Sequence, residues 1–288
     1  MDSKFKCTAK SKYISLRNLK FHYLEWENAD KPIVIMLHGF MDHSHSFDLL
    51  AEELKDKYHL IAWDARGFGK TEHIHPASYY YFFDYILDLE LFIKNFTNNP
   101  VILIGHSMGG IISSLYAGTY PEKVSKIISL EGWFMTAYEY NEAPERARNW
   151  IDGVNNLKSF KLMNSLEEAT QRLIKNDPLL TKEFAKHLAE EIIVRKDNKF
   201  VWSHDPLHKT RTPQLSYYGH IKAFLEKIEC PILLIESDKT FFDLENYERI
   251  AQLYKNADKL KINDAGHNLH IHKPKEIAKE IIEFIENN

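Results

Sequence analysis

The sequence predicts an α/β protein, a mostly parallel β-sheet with helices on both faces and one helical insertion. Short, continuous apolar runs recur along the chain with helical stretches between them, as buried parallel strands do. Several runs stop abruptly at a small or polar residue: His38-Gly39, Asp64 and Gly105. The alternation fails once, between Leu130 and Pro231, where amphipathic patterns follow one another without a strong buried strand.

Taken in order, Tyr13 to Arg17 and Phe21 to Trp26 alternate around Asn18, which reads as an antiparallel hairpin at a sheet edge. The buried runs are Ile33–Leu37, Leu60–Trp63, Val101–Ile104, Val124–Leu130 and Ile232–Ile235, with Lys259–Ile262 as a last strand. Helices are expected at Ser46–Lys55, Tyr79–Phe96, Met108–Tyr120, Asn246–Lys255 and Lys275–Ile285. Within the irregular stretch, Pro144–Val154, Leu166–Ile174 and Thr181–Val194 read as amphipathic helices. So long an insertion in a regular fold suggests a lid. The division is a core of residues 1–131 and 228–288 and a cap of residues 132–227.

Composition narrows the class. The chain has 288 residues, enough for one large domain and its core. A net charge of -4 points to neither nucleic acid nor a membrane surface as partner. No apolar run is long enough to span a bilayer, and the first ten residues lack a signal-peptide core. Cys7 and Cys230 lie far apart, which suggests a reducing, cytoplasmic setting rather than a disulfide framework.

The residues that carry chemistry centre on Gly105-His106-Ser107-Met108-Gly109. This is a G-x-S-x-G turn between a buried strand and a helix, the setting that exposes a nucleophilic serine. Side chains at the glycine positions would collide with that turn, and the helix N-terminus favours developing negative charge. A serine needs a base. His267 follows the last strand in a loop near the C-terminus, and the chain order serine, acid, histidine is the one this arrangement uses. His270 and His272 run into the final helix and are weaker rivals. His38-Gly39-Phe40 follows the first buried strand, so the backbone N–H groups of Phe40 and Met108 are the expected oxyanion donors. Asp64-Ala65-Arg66-Gly67-Phe68-Gly69 reads as a structural turn, not a phosphate loop.

No cofactor is implied. The pairs His43/His45, His73/His75 and His270/His272 show no carboxylate or cysteine at ligand spacing, so no metal is expected. The insertion is aromatic: Trp133, Phe134, Tyr138, Tyr140, Trp150, Trp202, Tyr217, Tyr218 and Phe224. Some could line an apolar acyl pocket, though each alone is better read as the cap's own packing. Charge in the insertion is nearly balanced and selects no anionic substrate.

Together, His38-Gly39-Phe40, Asp64 to Gly69, Gly105 to Gly110 and Gly266-His267 resemble the α/β-hydrolase superfamily over nearly the whole chain. Within it, the sequence is most similar to the serine hydrolase-like proteins and less so to haloalkane dehalogenases. Ala223 to Ile235 resembles the approach to their penultimate core strand. The resemblance implies an eight-stranded, mostly parallel sheet, a helical cap after the sixth strand, and ester hydrolysis without a cofactor. It also implies two places for the acid. The usual one, after the penultimate strand, reads Glu236-Ser237-Asp238-Lys239-Thr240, with threonine where the acid belongs and Asp238 early. The other follows the preceding strand, where haloalkane dehalogenases with a glutamate acid carry it; there the chain has Glu131. Glu131 is preferred and Asp238 stays open.

The expected function is hydrolysis of a small-molecule carboxylic ester, thioester or lactone through an acyl-enzyme on Ser107. C–C bond hydrolysis or perhydrolysis on the same triad is an alternative, and a non-catalytic ligand-binding scaffold is another. A dehalogenase is disfavoured because serine stands where an aspartate nucleophile is needed. Neither the physiological substrate nor the oligomeric state is legible.

Overall fold

The first element among the described residues is a hairpin, β1 (Lys10–Leu16) against β2 (Leu19–Trp26). Arg17 and Asn18 turn it with φ of 50° and 62°. Two positive values match the turn whose twist suits a hairpin, and asparagine tolerates that region better than most residues. A computed structural model describes residues 7–75, 77–133, 139–210, 212–214, 216–240 and 244–288.

After the hairpin, strands and helices alternate. They are β3 (Ile33–Leu37), α1 (Asp48–Leu54), β4 (His59–Trp63), α2 (Phe82–Ile93), β5 (Val101–His106), α3 (Met108–Thr119) and β6 (Val124–Leu130). The insertion then holds α4 (Ala143–Asn155), α5 (Leu166–Asn176), α6 (Lys182–Ile192), β7 (Ile193–Lys196), β8 (Lys199–Trp202) and α7 (Tyr218–Leu225). The chain returns with β9 (Ile232–Ser237), α8 (Leu244–Ala251), β10 (Ala257–Ile262), α9 (Leu269–His272) and α10 (Pro274–Asn287).

Eight strands form one sheet in the order β1-β2-β4-β3-β5-β6-β9-β10. Only the β1/β2 and β2/β4 pairs are antiparallel. The carboxyl ends of β3 to β6, β9 and β10 therefore gather along one edge, where open α/β sheets hold their ligands. Side chains alternate between two apolar layers. Leu103 packs under α2 and α3, whereas Ile102 and Ile104 pack under α1 and α10. Burial on both faces is why these strands read as unbroken apolar runs.

Several boundaries differ from the sequence reading. Helix α2 starts at Phe82, because Tyr81 is extended and its N–H goes to Asp84 Oδ2 at 3.4 Å. Tyr79 and Tyr80 instead reach the insertion, bonding Thr210 Oγ1 at 2.6 Å and Asp205 Oδ2 at 2.8 Å. Helix α8 ends at Ala251, short of the expected Lys255. The insertion is not wholly helical: α6 stops at Ile192 and an antiparallel ribbon follows, β7 with β8. Ile193 and Val194 are β-branched, and Asp197, with φ of 56°, supports a tight turn. Among the described residues no helix is long and apolar enough to cross a membrane.

A buried ion pair ties the loop after β4 to α2. Arg66 bonds Asp88 through both Nε and a terminal nitrogen, the latter at 2.5 Å, and Arg17 adds a third contact at 3.2 Å. Asp84 lies farther from Arg66, at 3.5 Å, and is more exposed. Asp88→Ala should therefore strand the Arg66 guanidinium and cost about 3–5 kcal/mol. Urea unfolding reads this directly, and a loss below about 1 kcal/mol would mean the pair is not what holds the loop.

Candidate active site

Ser107 sits between β5 and α3 with φ 50° and ψ -115°, a conformation non-glycine residues rarely adopt. Its neighbours hold it there. Ser107 N donates to Leu130 O at 3.0 Å, and Gly110 N donates to Ser107 O at 3.0 Å. A Cβ on Gly109 would lie 1.9 Å from Leu37 O, and one on Gly110 2.1 Å from Gly132 O. Only glycine allows α3 to lie so close to the strands, with its N-terminus opening at the sheet edge.

The loop after β3 closes over this turn. A Cβ on Gly39 would come 3.3 Å from Ser107 Cβ, so the Gly39 backbone covers the serine. His38 orients that backbone. Ala65 N donates to His38 Nε2 at 3.0 Å, so the ring proton lies on Nδ1 and goes to Gly39 O at 2.7 Å. In a trans peptide the Phe40 N–H then points opposite to that carbonyl, away from His38.

Glu131 follows β6 with φ of 51° and is almost fully buried. Its N–H donates to Ile235 O at 2.9 Å, which seats it against β9. Its Oε1 accepts from Ser237 N at 2.5 Å and its Oε2 from Thr240 Oγ1 at 2.7 Å. The same Oε2 lies 3.5 Å from His267 Nδ1. Thr240 thus occupies the usual acid position and donates to a carboxylate that arrives from the neighbouring strand. Asp238 is exposed, and its Oδ1 accepts from Ala265 N at 3.2 Å. Backbone hydrogen bonds from Asp264 and Ala265 lower its pKa. Asp238 therefore fastens the loop that leads to His267.

That loop is held from two more sides. Behind it, His106 Nε2 meets His267 O at 3.0 Å, and the His106 ring lies 4.7 Å from His267 and 4.4 Å from His270. Burial lowers the pKa of His106 well below the usual histidine value and that of His270 to about 3, so both rings are neutral. Above it, Asp177 of the insertion accepts from Asn268 Nδ2 at 2.7 Å and His272 Nε2 at 2.9 Å. Gly266 N donates to His272 Nδ1 at 3.1 Å, which completes the brace.

The insertion is also clamped to the core. Asp48 Oδ2 accepts from His45 Nδ1 at 2.9 Å and His187 Nε2 at 2.7 Å, and Glu191 bridges His45 and Lys70 at 3.2 and 2.5 Å. Burial works against charging His45, but the Asp48, Cys7 and Glu191 bonds prevail and raise its pKa to about 11. A cavity of about 90 Å³ touches both Phe40 and Met108, walled by Tyr79, Tyr80, Phe82 and Tyr85 and by Leu207 and His208 of the insertion. Among the described residues, the aromatics singled out in the sequence do not line it. Tyr140 stacks on Tyr217 at 4.5 Å, Trp202 packs near Met163, and Trp133 joins the core. Phe134 and Tyr138 lie outside the described residues. The tyrosines before α2 were missed because they read as helix.

Residues 32–274 match the alpha/beta hydrolase fold family. Human serine hydrolase-like protein 2 is 23% identical over 285 residues, covering 91% of this chain and 89% of that protein. A Haemophilus influenzae protein with an esterase/lipase name is 26% identical over 277 residues, covering 95% and 90%. Among solved structures, a thioesterase domain from the curacin biosynthetic pathway superposes with a TM-score of 0.87 at 22% identity, covering 96% of this chain and 99% of that one.

The Asp177 brace carries a pH signature. Burial raises the carboxyl's pKa, but the His272 and Asn268 bonds outweigh it, so the folded value lies below the unfolded one. Its contribution is then present above about pH 4 and is lost as pH falls through the lower folded value. Asp177→Ala should cost about 1–3 kcal/mol at pH 7, and the deficit should shrink only below about pH 4. Denaturant unfolding of both proteins across pH 3–7 checks this; a deficit already vanishing at pH 6 would point to a histidine instead.

Proposed function

Because this chain belongs to the α/β-hydrolase fold family, we propose that it is a serine hydrolase that cleaves a carboxylic ester or thioester. The observation that carries this reading is the convergence of a strained Ser107, the His267 loop and the buried Glu131 carboxylate at one sheet edge. In the proposed reaction Ser107 Oγ attacks the acyl carbonyl and His267 Nε2 takes its proton. Glu131 holds the proton on His267 Nδ1 and stabilises the imidazolium. The 3.5 Å separation suits a free enzyme, since such contacts tighten as charge develops. Phe40 and Met108 N–H groups donate to the oxyanion, aided by the N-terminus of α3. As the tetrahedral intermediate collapses, His267 gives the proton it took from Ser107 to the departing alcohol or thiol. Water then attacks the acyl-enzyme with His267 again as base, and the proton returns to Ser107 Oγ as the acid leaves.

Residues 132–227 are the cap in this reading, over a core of 1–131 and 228–288. The cavity beside Phe40 and Met108 is the proposed acyl site. At about 90 Å³ it has room for roughly three water-sized groups, which favours short acyl chains. Free Cys7 and Cys230 support a reducing, cytoplasmic setting.

Ser107→Ala should lower ester hydrolysis by about 10⁴-fold or more in folded protein. Fluorophosphonate labelling should vanish with it. Glu131→Gln should lower kcat by about 10²–10⁴ with little change in KM, while Asp238→Asn does far less. The reverse order in steady-state kinetics would assign the acid to Asp238. Across a p-nitrophenyl ester series, acetyl to butyryl should exceed octanoyl at least tenfold in kcat/KM, about 1.4 kcal/mol. Equal rates along the series would remove this cavity from the reaction.

A further inference from the structure

Two buried histidines behind the His267 loop have no part in the proposed reaction. His106 is 2% exposed and His270 fully buried, and their rings lie 4.4 Å apart, tilted at 48°, with Asp42 beside His106. We propose that Asp42, His106 and His270 form a binding site for a divalent transition-metal ion of the zinc class.

The first argument is hydrogen-bond accounting. The carbonyl of His267 can only accept, so the His106 Nε2 that meets it at 3.0 Å carries the ring proton. Nδ1 of His106 is then a bare lone pair, buried and without a hydrogen-bond partner among the described residues. What faces it, at 3.9 Å, is Asp42 Oδ2, another acceptor. Asp42 is also hydrogen-bonded by Ser46 and the His43 backbone, and its side chain is 21% exposed, so a cation entering from that side would satisfy the bare lone pair and the carboxylate together. His270 is the stronger anomaly: among the described residues neither of its ring nitrogens has a hydrogen-bond partner. Buried polar atoms are normally satisfied, so a ring with both nitrogens orphaned wants an explanation. Phe47 packs against His270 at 5.1 Å, and a second phenyl ring would fill the space equally well if packing were the only demand.

The second argument is geometry. One ligand atom from each of the three residues lies within 4.8 Å of the other two. Zinc bonds nitrogen and carboxylate oxygen at about 2.0–2.2 Å, so modest side-chain rotations would bring all three into contact with one ion. Two imidazoles and a carboxylate are a common three-ligand set for zinc and non-haem iron, which leaves further positions for water. His106 also has the outer contact such ligands usually show, with its second nitrogen donating to a backbone carbonyl. Gly39 lacks the Cβ that would stand 2.7 Å from His106 Nδ1, so the space beside the lone pair is not filled by a side chain.

Another cluster of potential ligands among the described residues, Cys7, His45 and Asp48, does not make the same case. There His45 already bonds Asp48 through Nδ1 and reaches Glu191 through Nε2, as a protonated ring would.

The test needs no substrate, so its failure leaves the hydrolase reading untouched. Full-length protein is stripped with a chelator, then titrated with Co²⁺ by visible absorption and with Zn²⁺ by equilibrium dialysis. One equivalent should bind with the d–d bands of a low-coordinate nitrogen–oxygen site. His270→Phe and Asp42→Asn should each weaken Zn²⁺ binding at least tenfold, and Cys7→Ser should leave it unchanged. Circular dichroism establishes that each variant is folded, and if His270→Phe is not, Asp42→Asn decides alone. Absence of stoichiometric binding at millimolar Zn²⁺ overturns the proposal. So does binding that survives both substitutions, or that Cys7→Ser removes.

Discussion

The close approach of α3 to the ends of β3, β5 and β6 is the constraint on which the rest of the site depends. Gly109 lies against the Leu37 carbonyl, Gly110 against Gly132 and the Ser129 hydroxyl, and Gly105 against Gly110 itself. No side chain separates the helix from the sheet at these points. The chain can then pass from strand to helix only through a residue in an unfavourable conformation, and Ser107 takes it. Such strain persists where the surroundings over-determine it. Here three strands and a helix do so, and the helix N-terminus is left pointing at the edge where the parallel strands end.

The proposed acid, Glu131, follows from the same edge by a different route. A carboxylate just after β6 must cross to the region between β9 and β10 to meet His267, and glutamate has one more methylene than aspartate with which to do it. Positive φ at Glu131 turns the side chain in that direction. The end of β9 then offers donors, Ser237 N–H and the Thr240 hydroxyl, which satisfy the buried charge. Placing an acid at Thr240 as well would set two carboxylates against each other and raise the pKa of one. Threonine at that position is thus the complement of a glutamate on β6, and Asp238 is free to serve as a clasp.

Much of this was legible in the sequence because strand burial and glycine spacing are local signals. The runs Ile33–Leu37 and Val101–Ile104 announce buried strands, and the glycines around Ser107 announce a turn that tolerates no Cβ. Tyr79 to Tyr81 read as helix because their apolar spacing suits one, yet contacts to Thr210 and Asp205, more than a hundred residues away, keep Tyr79 and Tyr80 outside it. The ribbon after α6 was hidden in the same way, since Ile193 and Val194 continue an amphipathic pattern until a turn at Asp197 reverses the chain. Asp177 carried no signal at all. It is one acidic residue in a helical insertion, and its importance comes only from the fold that sets it over Asn268 and His272.

The insertion is held by apolar and polar contacts together. Trp133 at its start and Ile221 and Leu225 of α7 at its end join the main core, and Leu180, Phe184 and Leu188 meet Ile271 and Leu49. Polar contacts of this kind fix position more than they add area, because a hydrogen bond weakens steeply once its angle is lost. Two of the attachments differ in consequence. The Asp48 clamp joins α6 to the first residue of α1, whereas the Asp177 brace ends on Asn268 and His272, beside His267. A movement of the insertion that separates Asp177 from His272 also releases Gly266 from the ring that orders it, and His267 is the next residue. In the proposed reading, the covering of the site by the insertion and the positioning of His267 are therefore mechanically one feature. A substitution in the insertion far from Ser107 reaches the chemistry through this contact, without altering any residue of the proposed triad.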